Sequence, residues 1–373
     1  MVIGVLKEGA GDGRVSLLPE TVAALIKKGI AVWIETGAGE AAFAADAEYE
    51  KAGAQLKPAD AIAAEADIVL SINLPQQTFS KHHIRIGVYQ PLFHLEEMQQ
   101  WAAQNITTFS LDMLPRTTRA QSMDVLSSQA NIAGYKAVVL AAATYSRYLP
   151  MFMTAAGTIA PAKVLVLGAG VAGLQAIATA RRLGAVVEVF DTRPAVKEEV
   201  QSLGGKFIEV EGATTAANSG GYAVEQTEAY KQKQQQRIAE SIGKADIVIT
   251  TAQIPGKRAP VLITEPALAA MRAGSVIIDL AAATGGNTPF TKNGETVVRN
   301  GVTIIGNSNL PATMPADASK LYGKNVLNFL ALILDKEGNV SLNWNDDLVK
   351  GCCITHGGNV VHERLQPPVA NVK

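Results

Sequence analysis

The stretch Lys163–Arg193 reads KVLVLGAGVAGLQAIATARRLGAVVEVFDTR, and it restricts the fold around it more than any other region of the chain. A run of Val and Leu leads into Gly168, Gly170 and Gly173, spaced G-x-G-x-x-G. A helical pattern of Ala, Leu and Ile follows. A second β-rich run, Val186–Phe190, then ends in Asp191. Three glycines at this spacing say little by themselves. Between a strand and a helix, with a carboxylate closing the next strand, they describe a unit built to receive a dinucleotide.

Each residue type there has a physical task. Gly168 permits the tight turn out of the strand, Gly170 lets the backbone approach a pyrophosphate, and Gly173 lets helix and strand pack closely. The helix N-terminus, entered through Ala169 and Val171, offers unpaired N–H groups and a partial positive charge to phosphates. Asp191, with Thr192 beside it, is placed to accept hydrogen bonds from ribose hydroxyls. Its charge repels a 2′-phosphate, so NAD(H) is expected as cofactor rather than NADP(H). Arg193 points the other way, because a neighbouring arginine serves a 2′-phosphate in some sites.

The same alternation of short β-rich runs and helical patterns extends along the chain. Towards the amino terminus the runs are Val2–Val5, Val32–Glu35, Asp67–Ile72, Ile86–Tyr89 and Thr107–Leu111. Further along they are Lys163–Leu167, Val186–Phe190, Asp246–Thr250, Ser275–Leu280 and Val302–Ile305, rich in Val and Ile as strands buried on both faces are. At ~150 residues per domain, 373 residues suggest two. The expected class is α/β, with two Rossmann-like, doubly wound parallel-sheet domains joined by long helices. One comprises residues 1–130 completed by about 330–373, and the other residues 131–329. Helices over Asp124–Arg147 and Ala318–Leu334 carry the chain between them, and the tail after Gly338 reads as a final hairpin or strand.

The formal net charge is −1 and no Lys/Arg-rich run occurs, so no nucleic acid is expected as partner. Met1–Leu6 is apolar, but Lys7, Glu8 and Arg14 follow at once, which suits a first strand and not a signal peptide. No apolar run approaches the ~20 residues that cross a bilayer, and the longest, Val326–Leu334, suits a buried helix. The expectation is a cytoplasmic chain without membrane insertion, and no metal. Cys352 and Cys353 are too few for a disulfide framework. They read as reduced, part-buried thiols, with a vicinal redox switch as the alternative. Residues 212–221, GATTAANSGG, are all small or polar and precede Tyr222. They read as a mobile functional loop or as a plain solvent loop.

With these features placed, several segments resemble the NAD(H)-binding component of the proton-translocating nicotinamide nucleotide transhydrogenases. They are PRTTRAQSMDVLSSQANIAGYKAV from Pro115, GTIAPAKVLVLGAGVAGLQA, TTAQIPGKRAPVLIT, IDLAAATGGN and KLYGKNVLNFL. The resemblance covers nearly the whole chain. By it, the family's Arg–Gln–Asp loop falls on Arg116, Gln121 and Asp124, with Ser127 one turn later. The family's mobile loop falls on Gly220, Gly221 and Tyr222, and Thr251 and Ala252 become cofactor contacts. Spacing alone leaves Arg116, Gln121 and Asp124 equally readable as helix caps.

The resemblance implies hydride transfer between NADH here and NADP(H) on a partner subunit, since the chain carries one fingerprint. The implied partners are the NADP(H)-binding and membrane-spanning subunits, with the chain peripheral to the inner membrane face and dimeric. The NAD(H) site is expected in a cleft between the domains. Alanine dehydrogenase shares the fold and is the rival reading. Its arginine matches Arg14 and its histidine His94, but its lysine falls on Asn73 and its aspartate near Ala283. Asparagine and alanine cannot handle protons as those residues do. Direct transfer between two nicotinamide rings needs no general acid or base, only rings held in near-attack geometry with water excluded. A non-catalytic NAD-binding regulatory module is a third reading.

Overall fold

The computed structural model describes residues 1–75, 77, 83–210 and 228–366. The chain divides into two compact units, residues 1–129 with 311–373, and residues 130–310.

The first unit holds an eight-stranded sheet. Six strands, Gln55–Lys57, Ala31–Glu35, Val2–Val5, Ile68–Leu70, Ile84–Gly87 and Thr107–Ser110, lie parallel in that spatial order. Cys353–His356 and Asn359–Val360 extend the sheet antiparallel, so the tail is the hairpin its glycines imply. Pro at its start and an apolar face over Val22 and Leu25 make Pro19–Ile26 the first helix, with Val22 and Leu25 packed in the core against Ile3 and Val5.

The second unit holds a seven-stranded sheet in the order Lys206–Phe207, Val186–Phe190, Lys163–Leu167, Ile247–Thr250, Val276–Asp279, Val302–Gly306 and Glu295–Arg299. All neighbours are parallel except the last pair. In both units the order along the main sheet is third, second, first, fourth, fifth. The doubly wound α/β class is therefore observed twice. Val164, Val166, Ile247, Ile249, Val276 and Ile278 face one core layer, and Leu165, Leu167, Val248 and Ile277 face the other. This is why these strands read as unbroken apolar runs.

The helix Val125–Thr144 begins in the first unit and continues into the second. The second long helix, Pro315–Ile333, differs from expectation. It lies within the first unit, so the chain re-enters that unit at Pro311 and not near residue 330. The reason is its buried stripe of Tyr322, Val326, Phe329, Leu330 and Ile333, which shares a core with Ile3, Val5 and Phe109. Cys352 and Cys353 are free thiols buried in that core. Burial pushes the Cys353 thiol up to about 12, so neither the thiolate nor ready oxidation is favoured. No described helix is long and apolar enough to cross a membrane.

Candidate functional site

In a doubly wound sheet, ligands bind outside the carboxyl ends of the strands where the winding reverses. In the second unit that point lies between Lys163–Leu167 and Ile247–Thr250. The glycine turn leaves the first of these strands, and Thr251 leaves the second.

The three glycines have separable reasons. Gly168 has φ +106°, a left-handed conformation that disfavours any side chain, and a Cβ there would meet Thr251 Oγ1 at 2.4 Å. Thr251 Oγ1 donates to the Gly168 carbonyl at 3.1 Å, tying the two strand ends together. A Cβ on Gly173 would lie 1.8 Å from the Gly168 carbonyl oxygen, so helix and turn touch through bare backbone. A Cβ on Gly170 would meet nothing within 4 Å. That glycine faces open space at the N-terminus of helix Val171–Arg182, which no side chain caps. Uncapped first-turn N–H groups beside an open glycine surface fit a phosphate group.

Asp191 closes the second strand with its side chain 6% exposed. Its Oδ2 accepts from the Ala169 N–H at 2.7 Å, which fixes the carboxylate against the glycine turn. Arg193 occupies the rest. Its N–H and Nε donate to Oδ1 at 2.8 and 2.9 Å, and its Nη2 donates to Oδ2 at 2.9 Å. The hydrogen bonds to Asp191 push the guanidinium pKa up, and the charge of Glu199 adds to this. A pocket lined by Thr192, Pro194, Lys197, Phe207 and Ile208 opens beside Asp191, on the side where an adenine would extend from the ribose. Lys197 pairs with Glu209 there.

Sequence reasoning missed a second buried network at the same sheet edge. Asp279, fully buried, accepts from the N–H groups of Ala281 and Asn287 at 2.9 and 2.6 Å and from Thr291 Oγ1 at 2.6 Å. Asn287 Nδ2 donates to the carbonyls of Ala252 and Pro260 at 2.9 and 2.8 Å. The loops after the fourth and fifth strands are thereby held as one piece, including Ala252. The signal was the IDLAAATGGN segment, whose aspartate ends a strand and whose Gly285 and Gly286 both have positive φ.

The remaining expected residues lie on the first unit. Arg116 is exposed, and Gln121 is exposed on the 3-10 turn Thr118–Met123. Asp124 stands at the head of helix Val125–Thr144. Its Oδ1 accepts from the Ser127 N–H at 2.9 Å and its Oδ2 from the Ser127 hydroxyl at 2.6 Å. That is a helix cap, and it joins Asp124 and Ser127 as one group. Gly221 and Tyr222, with the expected loop from Gly212, lie outside the described residues.

At the winding reversal of the first unit, between Val2–Val5 and Ile68–Leu70, the strand ends are closed by a polar network. Glu8 accepts from the backbone of Ile72 and Asn73 at 2.5 and 3.0 Å and from Asn73 Nδ2 at 2.8 Å. Asn73 Nδ2 also donates to Asp12 at 2.9 Å. Arg14 donates to Asp12 through Nε at 2.9 Å and Nη2 at 2.5 Å, and to Gln129 through Nη1 at 3.0 Å. Both members of the Arg14–Asp12 pair are only 6% exposed. The guanidinium that would receive a substrate carboxylate in an amino-acid dehydrogenase is thus already matched by one from its own chain. His94 is 38% exposed beside Glu97, at 3.4 Å, and Ala283 sits in the turn Ala282–Thr284.

Comparison with known proteins gives a consistent picture. Residues 4–133 match the model of the alanine dehydrogenase/PNT N-terminal domain, and residues 137–363 that of the C-terminal domain. An NAD(P) transhydrogenase subunit alpha polypeptide of Rhodospirillum rubrum is 46% identical, over 98% of this chain and 99% of its own. The crystal structure of transhydrogenase from Sinorhizobium meliloti superposes with a TM-score of 0.88 at 46% identity, covering 97% of this chain and 100% of that one. An L-alanine dehydrogenase structure superposes with a TM-score of 0.80 at only 26% identity, covering 98% of each chain.

Proposed function

The chain belongs to the alanine dehydrogenase/PNT family, and from that premise we propose that it is the NAD(H)-binding subunit of a proton-translocating NAD(P)+ transhydrogenase. The observation that carries this reading is the open glycine cradle ending at Asp191, on a chain 46% identical from end to end to a transhydrogenase alpha subunit. The alanine dehydrogenases are distant by comparison.

The residues of the second unit suit one half of the reaction. The N-terminus of Val171–Arg182 and the bare backbone of Gly170 hold the pyrophosphate. Asp191 and Thr192 hold the adenosine ribose, and the pocket at Phe207 and Ile208 takes the base. The Thr251–Ala252 loop, stiffened by Asn287, flanks the nicotinamide half. When bound, the nicotinamide supplies a hydride. Gln121 orients the ring through its amide. Asp124, fixed by Ser127, and Arg116 complete the group that holds it. No general acid or base is required, which agrees with Asn73 and Ala283 standing where a dehydrogenase needs proton-handling groups.

The hydride acceptor, NADP+, is bound by a partner subunit, and a membrane-spanning subunit couples the transfer to proton movement. The chain itself sits peripherally at the cytoplasmic face. A homodimer is included in this proposal. The hairpin Phe152–Thr154/Gly157–Ile159, with Met151, Phe152 and Met153 exposed at 57%, 43% and 72%, offers apolar surface for it.

The test is reconstitution without a membrane. The purified chain should bind NADH and form no NADH from NAD+ with L-alanine. Adding an NADP(H)-binding domain should produce reduction of an NAD analogue by NADPH, saturating with the added domain, because the rings react only when docking brings them into contact. Alanine-dependent NADH formation, with no response to the added domain, would overturn the proposal.

A further inference from the structure

The carboxylate expected to receive the ribose is already fully engaged. An ionised carboxylate offers about four lone-pair directions. Asp191 uses Oδ1 for the N–H and Nε of Arg193, and Oδ2 for the Ala169 N–H and Nη2 of Arg193. Two of these donors belong to backbone and cannot leave without disturbing the glycine turn. The other two belong to one guanidinium, presented as a fork on a side chain 27% exposed. The pocket beside Asp191 opens at Thr192, Pro194 and Phe207, so the base has room while the ribose acceptor is closed.

Resting on the reading of this unit as an NAD(H) site, we infer that Arg193 is a latch: it competes with the adenosine ribose for Asp191, must withdraw when the nucleotide binds, and thereby sets adenosine affinity. The exchange is chemically balanced. Two guanidinium N–H donors leave the carboxylate and two ribose hydroxyl donors replace them, and no proton is transferred. The guanidinium goes to solvent from a position already one-quarter exposed, with Glu199 as a second acidic group in electrostatic range. Apparent affinity is then the intrinsic affinity reduced by the fraction of molecules with the latch open. A residue that merely supported the site would act in the opposite direction, because its loss would weaken binding.

Calorimetric titration with ADP-ribose separates these cases, since this probe carries the adenosine and pyrophosphate without the nicotinamide. Arg193→Ala should bind it about fivefold more tightly than wild type, the size expected for a partly exposed ion pair. Arg193→Lys, which keeps the charge but loses the fork, should fall between. Misfolding lowers affinity, so a gain cannot come from damage, and melting temperature identifies a damaged variant. If Arg193→Ala does not fold, Arg193→Lys carries the same test. Unchanged or weaker binding by a folded variant overturns the latch. A wild-type protein that does not bind ADP-ribose at all sinks the nucleotide reading, and the latch with it.

Discussion

A Cβ on Gly173 would stand 1.8 Å from the Gly168 carbonyl oxygen, whereas one on Gly170 would stand in open space. The two glycines of one motif therefore answer to different demands, and alanine separates them. Gly173→Ala should destabilise the second unit by about 3 kcal/mol, because backbone must move to admit the methyl group. Gly170→Ala should fold normally, within about 0.5 kcal/mol of wild type, since its φ of −78° suits alanine. It should still weaken NADH binding at least about tenfold, by filling the approach to the pyrophosphate. Thermal melting and NADH fluorescence titration give both numbers. Equal melting temperatures for the two variants would contradict this assignment.

Asp191 should decide between cofactors. Asp191→Ala is expected to weaken NADH by ~1–3 kcal/mol, the cost of ribose hydroxyls left without an acceptor. NADPH should lose less, because a charge repelling its 2′-phosphate disappears. The Ala169 N–H also loses its acceptor, so the turn is somewhat loosened for both. The measurement is the ratio of the two dissociation constants. A ratio unchanged from wild type would show that Asp191 is not the ribose carboxylate.

Gln121 and Asp124 are neighbours with separable tasks. Asp124→Ala removes the acceptor for both the N–H and the hydroxyl of Ser127, and should cost about 1 kcal/mol of stability as a lost helix cap. Gln121→Asn keeps the amide, shortens its reach and lies on an exposed turn, so stability and NADH affinity should hold. Hydride transfer in the reconstituted system should fall steeply, since small misplacement of a reacting ring is costly. Wild-type turnover of Gln121→Asn would remove it from the site.

The first unit should carry an acid-sensitive element. Burial alone would raise the pKa of Asp12, but the hydrogen bonds and charge of Arg14, with Asn73, outweigh it and hold the carboxyl at about 2 against its ordinary 3.8. A depressed folded value contributes stability that is present above pH ~4 and is lost as pH falls towards 2, amounting to about 2 kcal/mol. Glu8 works in the opposite sense. Burial raises it above 4.5 despite the N–H groups of Ile72 and Asn73, so its protonation relieves strain as pH drops. Asp12→Asn should be less stable at pH 6 and should lose less between pH 4 and 2. Parallel acid-unfolding curves for the two proteins would refute the role of Asp12.

The regions of this molecule that were legible in its sequence are those whose cause is local. The glycine turn, the first helix and the Val/Ile strands follow from spacing and periodicity, and Lys163–Leu167 and Val186–Phe190 have the expected limits. Gln55–Lys57 and Lys206–Phe207 sit at sheet edges, are short and polar, and exist because a neighbouring strand offers hydrogen bonds. The hairpin at Phe152 has no buried face to impose alternation. Asp12 with Arg14, and Asp191 with Arg193, are two residues apart, yet only side-chain geometry reveals that each pair is closed. Asp279 with Asn287 depends on how two loops return to one edge, which residue spacing does not encode.

The first unit is assembled from both ends of the chain, with Cys353–His356 paired to Thr107–Ser110 and with Phe329 packed on Phe109 at a ring separation of 5.4 Å. Residues 130–310 form the other unit without interruption. During synthesis, therefore, the unit that starts later is the first whose entire core has left the ribosome. Residues 1–129 must wait through some 180 further residues, roughly ten to forty seconds at ordinary elongation rates, before their covering helix and edge hairpin arrive. Throughout that interval the strand Thr107–Ser110 has an unpaired edge and Phe109 lacks its partner. The nascent amino-terminal segment is thus the aggregation-prone stage in the production of this protein, and a chain truncated before Pro311 would never leave it.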